Sequence, residues 1–198
     1  MTAVGALGAC WLAAAVVSRL PTSPGFALDA AARSALEPLH AVGPIDAVAQ
    51  FLAVVGEQPV SIVVGVVVAV AVLLRFGLQA ALAVGLASAL SAGHVILMKW
   101  VVQRPGPVTA FFEGLGSFPS GHAANAAVLA TVGGLLLRRG WAWSAGAVYV
   151  ALVAASRVVV GAHWLTDTVV GAVAGAGVAL LVWSVWSAAG ARGSGTDA

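Results

Sequence analysis

The sequence predicts an all-α protein embedded in a lipid bilayer: a bundle of six transmembrane helices, with a short interfacial helical segment between the first and second. Three observations predict it. Of 198 residues, 61% are hydrophobic and only 8% are charged, whereas a soluble domain carries roughly 25% charged residues. Nine Lys and Arg with seven Asp and Glu cannot cover a water-facing surface, which excludes a soluble domain and a disordered chain. Those few charges also divide the chain into apolar runs of the roughly 17–25 residues that a helix needs to cross the hydrocarbon core. The runs are continuous rather than alternating, so helices and not barrel strands must satisfy the backbone in lipid. A net charge of +2 is too small to attract nucleic acid, and the single cysteine, Cys10, excludes a disulfide framework or thiolate metal cluster.

The elements follow in order within one domain, residues 1–198. The first run ends at Arg19, and no Lys or Arg precedes it as a secretory signal would require. Leu7-Gly8-Ala9-Cys10 looks like a lipoprotein cleavage box, yet only six residues precede it, too few for an apolar signal core, so 3–18 is read as a retained helix. Residues 19–57 form the interfacial segment. After the turn Pro21-Thr22-Ser23-Pro24-Gly25, Leu28, Ala32, Leu36 and Leu39 recur at helical spacing; Gly43-Pro44 interrupts, and Ile45, Val48, Leu52 and Val55 resume. The remaining spans are expected at 58–74, 76–98, 114–137, 140–156 and 168–191, with 190–198 as a flexible tail. Gly and Ala between Ala81 and Ala92, and between Gly171 and Gly177, suit close helix approach.

With six spans, Arg75, Arg138, Arg139 and Arg192 fall on the side of both termini, facing Arg19, Arg33, Lys99, Arg104 and Arg157. Lys99, Arg104 and Arg157 sit at span ends beside polar motifs and are assigned to a site. Setting them aside places both termini in the cytoplasm by the excess of basic residues. A multi-pass protein of the inner or plasma membrane is expected, with Trp100, Trp141, Trp143 and Trp164 as interfacial anchors.

On the extracytoplasmic side, three stretches bring ionisable residues to helix ends: Lys99 to Pro107, Phe118 to His122, and Ser156-Arg157 with His163 and Asp167. Ionised groups are costly in a bilayer and normally serve a cavity, so this convergence points to an anion site. Ser120 can cap a helix start and Gly121 allows close backbone approach, leaving free N–H groups for a phosphate. His163 and Asp167 are four apart and face one way on a helical turn, so the carboxylate can fix the imidazole tautomer and leave the other nitrogen as nucleophile or base. Lys99, Arg104 and Arg157 would neutralise a transferring phosphoryl group, and His122 is free to protonate a leaving oxygen. No aspartate–asparagine cluster is available for magnesium, so no metal and no cofactor is expected.

This constellation resembles the type 2 phosphatidic acid phosphatase family, membrane lipid phosphatases that share a core with vanadium haloperoxidases. Pro119-Ser120-Gly121-His122 matches the family's second motif, and Ser156, Arg157, His163 and Asp167 match the third. The resemblance implies attack by His163 on phosphorus to form a phosphohistidine, orientation by Asp167, and general acid catalysis by His122. It also implies phosphate binding by Ser120, Gly121 and Arg157. Lys99 opens the first motif, Lys-x6-Arg-Pro, but Gly106 stands where the arginine belongs, before Pro107, and Arg104 is the cation that could take its place. The substrates implied are phosphatidate, phosphatidylglycerol phosphate or a polyprenyl diphosphate. A weakened lipid-binding homologue, or a phosphotransferase using the same residues, is the alternative. His40 and His94 are read as packing residues, Glu113 as a solvated loop charge and Arg138-Arg139 as a topological anchor.

Overall fold

The structure is a computed structural model that describes residues 2–18, 26–57, 59–108 and 115–193. Its helices are α1 (Ala3–Val17), α2 (Ala27–Leu36), a 3₁₀ turn (Glu37–Ala41), α3 (Gly43–Gly56), α4 (Val60–Phe76), α5 (Leu78–Val102), α6 (Gly121–Leu137), α7 (Gly140–Val159) and α8 (Leu165–Gly193). No strand occurs among the described residues. Arg19 and Glu113 lie outside them, as do residues 194–198 of the expected tail; α8 continues through its first part to Gly193.

Every expected apolar run contains a helix, but their lengths differ. Leu78–Val102, Gly140–Val159 and Leu165–Ser187 are long and apolar enough to cross a membrane. Ala3–Val17, Val60–Phe76 and Gly121–Leu137 are apolar but shorter. At 1.5 Å per residue, a helix of 17 residues covers about 25 Å, at the lower edge of what a bilayer core requires. The interfacial segment becomes two helices, Ala27–Ala41 with the 3₁₀ turn and Gly43–Gly56, bent by 109° where Gly43-Pro44 interrupts. Counted as one broken span, that pair makes a fourth candidate.

The distribution of side chains is that of a protein in lipid. Leu12, Val63, Val67, Leu74 and Leu152 face outward, while small residues fill the interior. Ala83, Val84 and Ala87 of α5 meet Val128 and Val132 of α6 and Val178, Ala179 and Val182 of α8. Nearer the site, Cys10, Ala14 and Val17 of α1 pack with Met98, Phe118 and Ala174. Without a hydrophobic drive between helices in lipid, close packing of small residues does this work. Helices α6 and α8 meet backbone to backbone: a Cβ at Gly171 would lie 2.3 Å from the Ser120 carbonyl oxygen, and one at Gly175 2.1 Å from that of Ala124.

Small or polar residues are also the buried ones in the helices of the interfacial segment. Leu28, Ile45 and Val48 are exposed, whereas Ala49, Ala53 and Asp29 are buried against the bundle. The rest of the segment's apolar stripe, Ala32, Leu36, Leu39, Leu52 and Val55, is half-buried. The fully buried residue is an acid.

Candidate active site

Two glycines and two helix caps set the site. Helix α5 ends at Gln103, which takes a left-handed conformation (φ 48°) and turns the chain into Arg104-Pro105-Gly106-Pro107. Lys99, in the last turn of α5, donates from Nζ to the carbonyls of Gly116 (2.7 Å) and Ser117 (3.2 Å), and Ser117 N–H donates to the Arg104 carbonyl (2.7 Å). Gly116 is required here, because a Cβ would lie 2.6 Å from the Arg104 nitrogen. Helix α6 starts as expected: Gly121 is its first residue, and Ser120 caps it by accepting from Ala123 N–H at 3.4 Å. The leading amides of a helix lack intrahelical partners and, with the positive dipole end, favour an anion.

Between α7 and α8 the chain reverses through Gly161 at φ +71°. The Arg157 carbonyl accepts from the N–H groups of both Ala162 (3.0 Å) and His163 (3.1 Å), which folds His163 back beside Arg157. His163 therefore precedes α8 rather than sharing a turn with Asp167, which corrects the expected helical geometry. Asp167, in the first turn of α8, reaches back instead. Its Oδ2 accepts from Trp164 N–H at 3.1 Å and lies 3.5 Å from His163 Nδ1, while its Oδ1 accepts from Arg104 Nη1 at 2.5 Å. A separation of 3.5 Å is long for a hydrogen bond, and such catalytic contacts commonly tighten only with substrate bound. A backbone bond from Ser120 N–H to the Asp167 carbonyl (2.9 Å) joins the second motif to the third.

The charges converge. Lys99, Arg157 and His163 all lie close enough to His122 to act on it electrostatically, and Lys99 acts likewise on Asp167 and Arg157. His163 is 4% exposed, and burial pushes its pKa down to about 4, so its ring is neutral at physiological pH. Arg157 is 5% exposed, and its Nε and Nη1 have no hydrogen-bond partner among the described residues. His122 Nε2 is 2.9 Å from the Ala53 carbonyl, an acceptor, so Nε2 carries the proton.

Arg104 is placed differently from the expectation. Rather than facing an anion, its Nη2 is ion-paired with Asp29 at 2.6 Å and its Nη1 with Asp167 at 2.5 Å. Two carboxylates already claim the charge that Gly106 leaves missing from the motif. Trp164 also departs from its expected role at the membrane surface. It is buried, donates from Nε1 to the Pro105 carbonyl at 2.9 Å, and lies against the Arg104 and Arg33 guanidinium groups.

Sequence reasoning missed Asp29, Thr166, Ala53 and Gly56. The last two place the end of α3 on the His122 ring, where a Gly56 Cβ would lie 2.0 Å from ring carbon Cδ2. One signal for Asp29 was present: it is one of only seven acidic residues in a chain with nine basic ones. Of the residues read as bland, His94 packs edge-on against Trp11 at 5.8 Å between ring centres, and His40 meets Asp46 at the surface.

The profile of the PAP2 superfamily matches residues 76–191, which hold all three polar stretches. The chain belongs to this superfamily. Two solved structures are similar. One is described as the first transmembrane PAP2 type phosphatidylglycerolphosphate phosphatase from Bacillus subtilis, with TM-score 0.73 and 20% identity over 90% of this chain and 94% of that one. The other is LpxE of Aquifex aeolicus, with TM-score 0.56 and 25% identity over 70% of this chain and 85% of that one. A comparison with curated protein sequences gives no significant match. Membership and the apolar helices together make this a PAP2 membrane protein.

Proposed function

We propose that this PAP2 protein is a lipid phosphatase that cleaves a phosphomonoester or pyrophosphate through a phosphohistidine at His163. The observation that carries this reading is Arg157: a guanidinium buried to 5% exposure, with two donors unpartnered among the described residues, beside a neutral imidazole. Burying unpaired donors is costly, and a phosphate oxygen is the partner whose charge and geometry fit a guanidinium.

The steps follow from the residues. The His163 Nε2 lone pair attacks phosphorus while Nδ1–H donates to Asp167, which stabilises the cation that forms. As the bond from phosphorus to the lipid oxygen breaks, His122 acts in its doubly protonated form, gives that oxygen a proton and becomes neutral. Arg157, Lys99, the Ser120 hydroxyl and the first amides of α6 stabilise the charge on the phosphoryl oxygens. Water then attacks phosphorus, the bond to His163 breaks, and His122 takes up the proton of the water. The cations assigned in this mechanism, Lys99 and Arg157, are the protein's own.

A cavity of about 410 Å³ supports a lipid substrate. It runs between α4, α5 and α6 along Gly65, Ala69, Gly85 and Ile96 to Gly121 and His122, so an apolar chain can lie there with its head group at the site. Phosphatidate, phosphatidylglycerol phosphate and a polyprenyl diphosphate are the candidates; the Bacillus subtilis neighbour, described as a phosphatidylglycerolphosphate phosphatase, makes phosphatidylglycerol phosphate the first to assay. We read six spans in the inner or plasma membrane, with the site extracytoplasmic.

Phosphate release from these lipids by purified protein in detergent with EDTA is the test. Release by wild type but not by His163→Ala is expected; a strict magnesium requirement, or a variant as fast as wild type, overturns the mechanism. Reporter fusions at the C-terminus test the sidedness.

A further inference from the structure

Asp29 lies in the first turn of α2, fully buried, in a segment whose sequence suggests only an interfacial helix. A buried carboxylate requires partners, and those recorded here all belong to the site. Its Oδ2 accepts from Arg104 Nη2 at 2.6 Å and from the Thr166 hydroxyl at 2.8 Å; its Oδ1 accepts from Thr166 N–H at 2.8 Å, satisfying an otherwise orphan amide in the first turn of α8. The other terminal nitrogen of Arg104 donates to the Thr166 hydroxyl at 2.8 Å and to Asp167 Oδ1 at 2.5 Å. One guanidinium thus bridges two carboxylates, both fully buried, with Thr166 spanning the bridge.

We propose that Asp29 is a positioning residue for His163, acting through Arg104 and Asp167: it fixes the plane of the Asp167 carboxylate and keeps the cluster negatively charged where it meets the imidazole. The charge argument is simple. Two carboxylates and one guanidinium leave a single net negative charge. With Asp29 neutralised, the whole guanidinium charge falls on Asp167, the cluster becomes neutral, and Asp167 accepts less strongly from His163 Nδ1–H. The geometric argument agrees. Asp167 is held at Oδ1 by Arg104 and at Oδ2 by Trp164 N–H, and Arg104 is itself held in line by Asp29. A loosened Asp167 lets the imidazole exchange tautomers, and only one tautomer presents a free Nε2 lone pair.

The kinetic consequence rests on the phosphohistidine reading above; the tautomer consequence does not. Asp29→Asn keeps the shape and removes the charge. Two measurements are made on the full chain in detergent micelles: hydrolysis of phosphatidylglycerol phosphate and phosphatidate, and nitrogen-15 NMR of histidine-labelled protein. The protein has four histidines, and the His163 signal is identified by its loss in His163→Gln. In wild type we expect a single Nδ1–H tautomer. In Asp29→Asn we expect a mixed tautomer and a kcat lower by about tenfold or more, with KM within about twofold, since only a transition-state interaction has been weakened. Thr166→Val, which removes the bridging hydroxyl and keeps both carboxylates, should change both readouts in the same direction, and it carries the test if Asp29→Asn does not fold. An active wild type with kcat unchanged in both variants overturns the inference and leaves the phosphatase reading standing. If wild type releases no phosphate, that reading fails on its own, and the spectrum alone decides: an unchanged His163 tautomer in the variants overturns the positioning role.

Discussion

Replacing Gly171 by alanine should impair the site from a position that touches no substrate. The added Cβ would lie 2.3 Å from the Ser120 carbonyl oxygen and 3.2 Å from the Ser120 nitrogen and carbonyl carbon. A carbon normally stands about 3.3 Å or more from a carbonyl oxygen, so the start of α6 and the first turns of α8 must separate by about 1 Å. That movement stretches the 2.9 Å bond from Ser120 N–H to the Asp167 carbonyl, the backbone link between the proposed acid and nucleophile segments. A misplacement of about 1 Å commonly costs around a hundredfold in rate, and overpacking costs about 1–3 kcal/mol of stability. The assay is kcat for phosphate release together with the thermal midpoint in detergent. Gly93→Ala is the control, because a Cβ there meets nothing within 4 Å. A Gly171→Ala protein with wild-type kcat and midpoint would refute the reasoning that backbone contact sets the site.

Three further outcomes are expected. Arg157→Gln removes a buried charge whose Nε and Nη1 find no partner among the described residues, so kcat/KM should fall about 10²–10³-fold while the thermal midpoint holds or rises; a parallel loss of both would mark Arg157 as structural. Because burial holds His163 near a pKa of about 4, the nucleophile stays deprotonated well below neutrality, and the acid limb of kcat/KM should lie near that pH. A phosphomonoester has its own second ionisation at about pH 6, so the two limbs are separable, and a single limb at or above 6.5, the ordinary histidine value, would contradict the buried neutral ring. Gly56→Ala places a Cβ 2.0 Å from the His122 ring, displacing the proposed acid; kcat/KM, which reports the steps through departure of the leaving group, should fall for a lipid alkoxide and hardly change for nitrophenyl phosphate, whose leaving group needs no proton.

What was legible in the sequence is what local chemistry decides. Ser120 before Gly121 reads as a helix start because capping involves only four consecutive residues, and the structure starts α6 there. The limits of the spans were partly legible. Charges mark helix ends at Arg75 and Arg157, which lie in the last turns of α4 and α7, whereas the run expected from 114 becomes helix α6 only at Gly121. The partners of Arg104 were not legible at all. A basic residue beside a phosphate motif reads as a phosphate ligand, and only the fold brings Asp29 to it across 75 residues. The tie between His122 and Ala53 spans 69 residues and has no side-chain signature on one partner, because the acceptor is a backbone carbonyl.

With small residues inside and large ones outside, mutational tolerance runs opposite to that of a water-soluble globule. An outward Leu74 or Val63 exchanged for another apolar residue still meets lipid, so such positions are free to drift. Ala87, Ala123 and Ala174 admit no enlargement without prying helices apart. A fold shared with the Bacillus subtilis neighbour at 20% identity is what such a division permits.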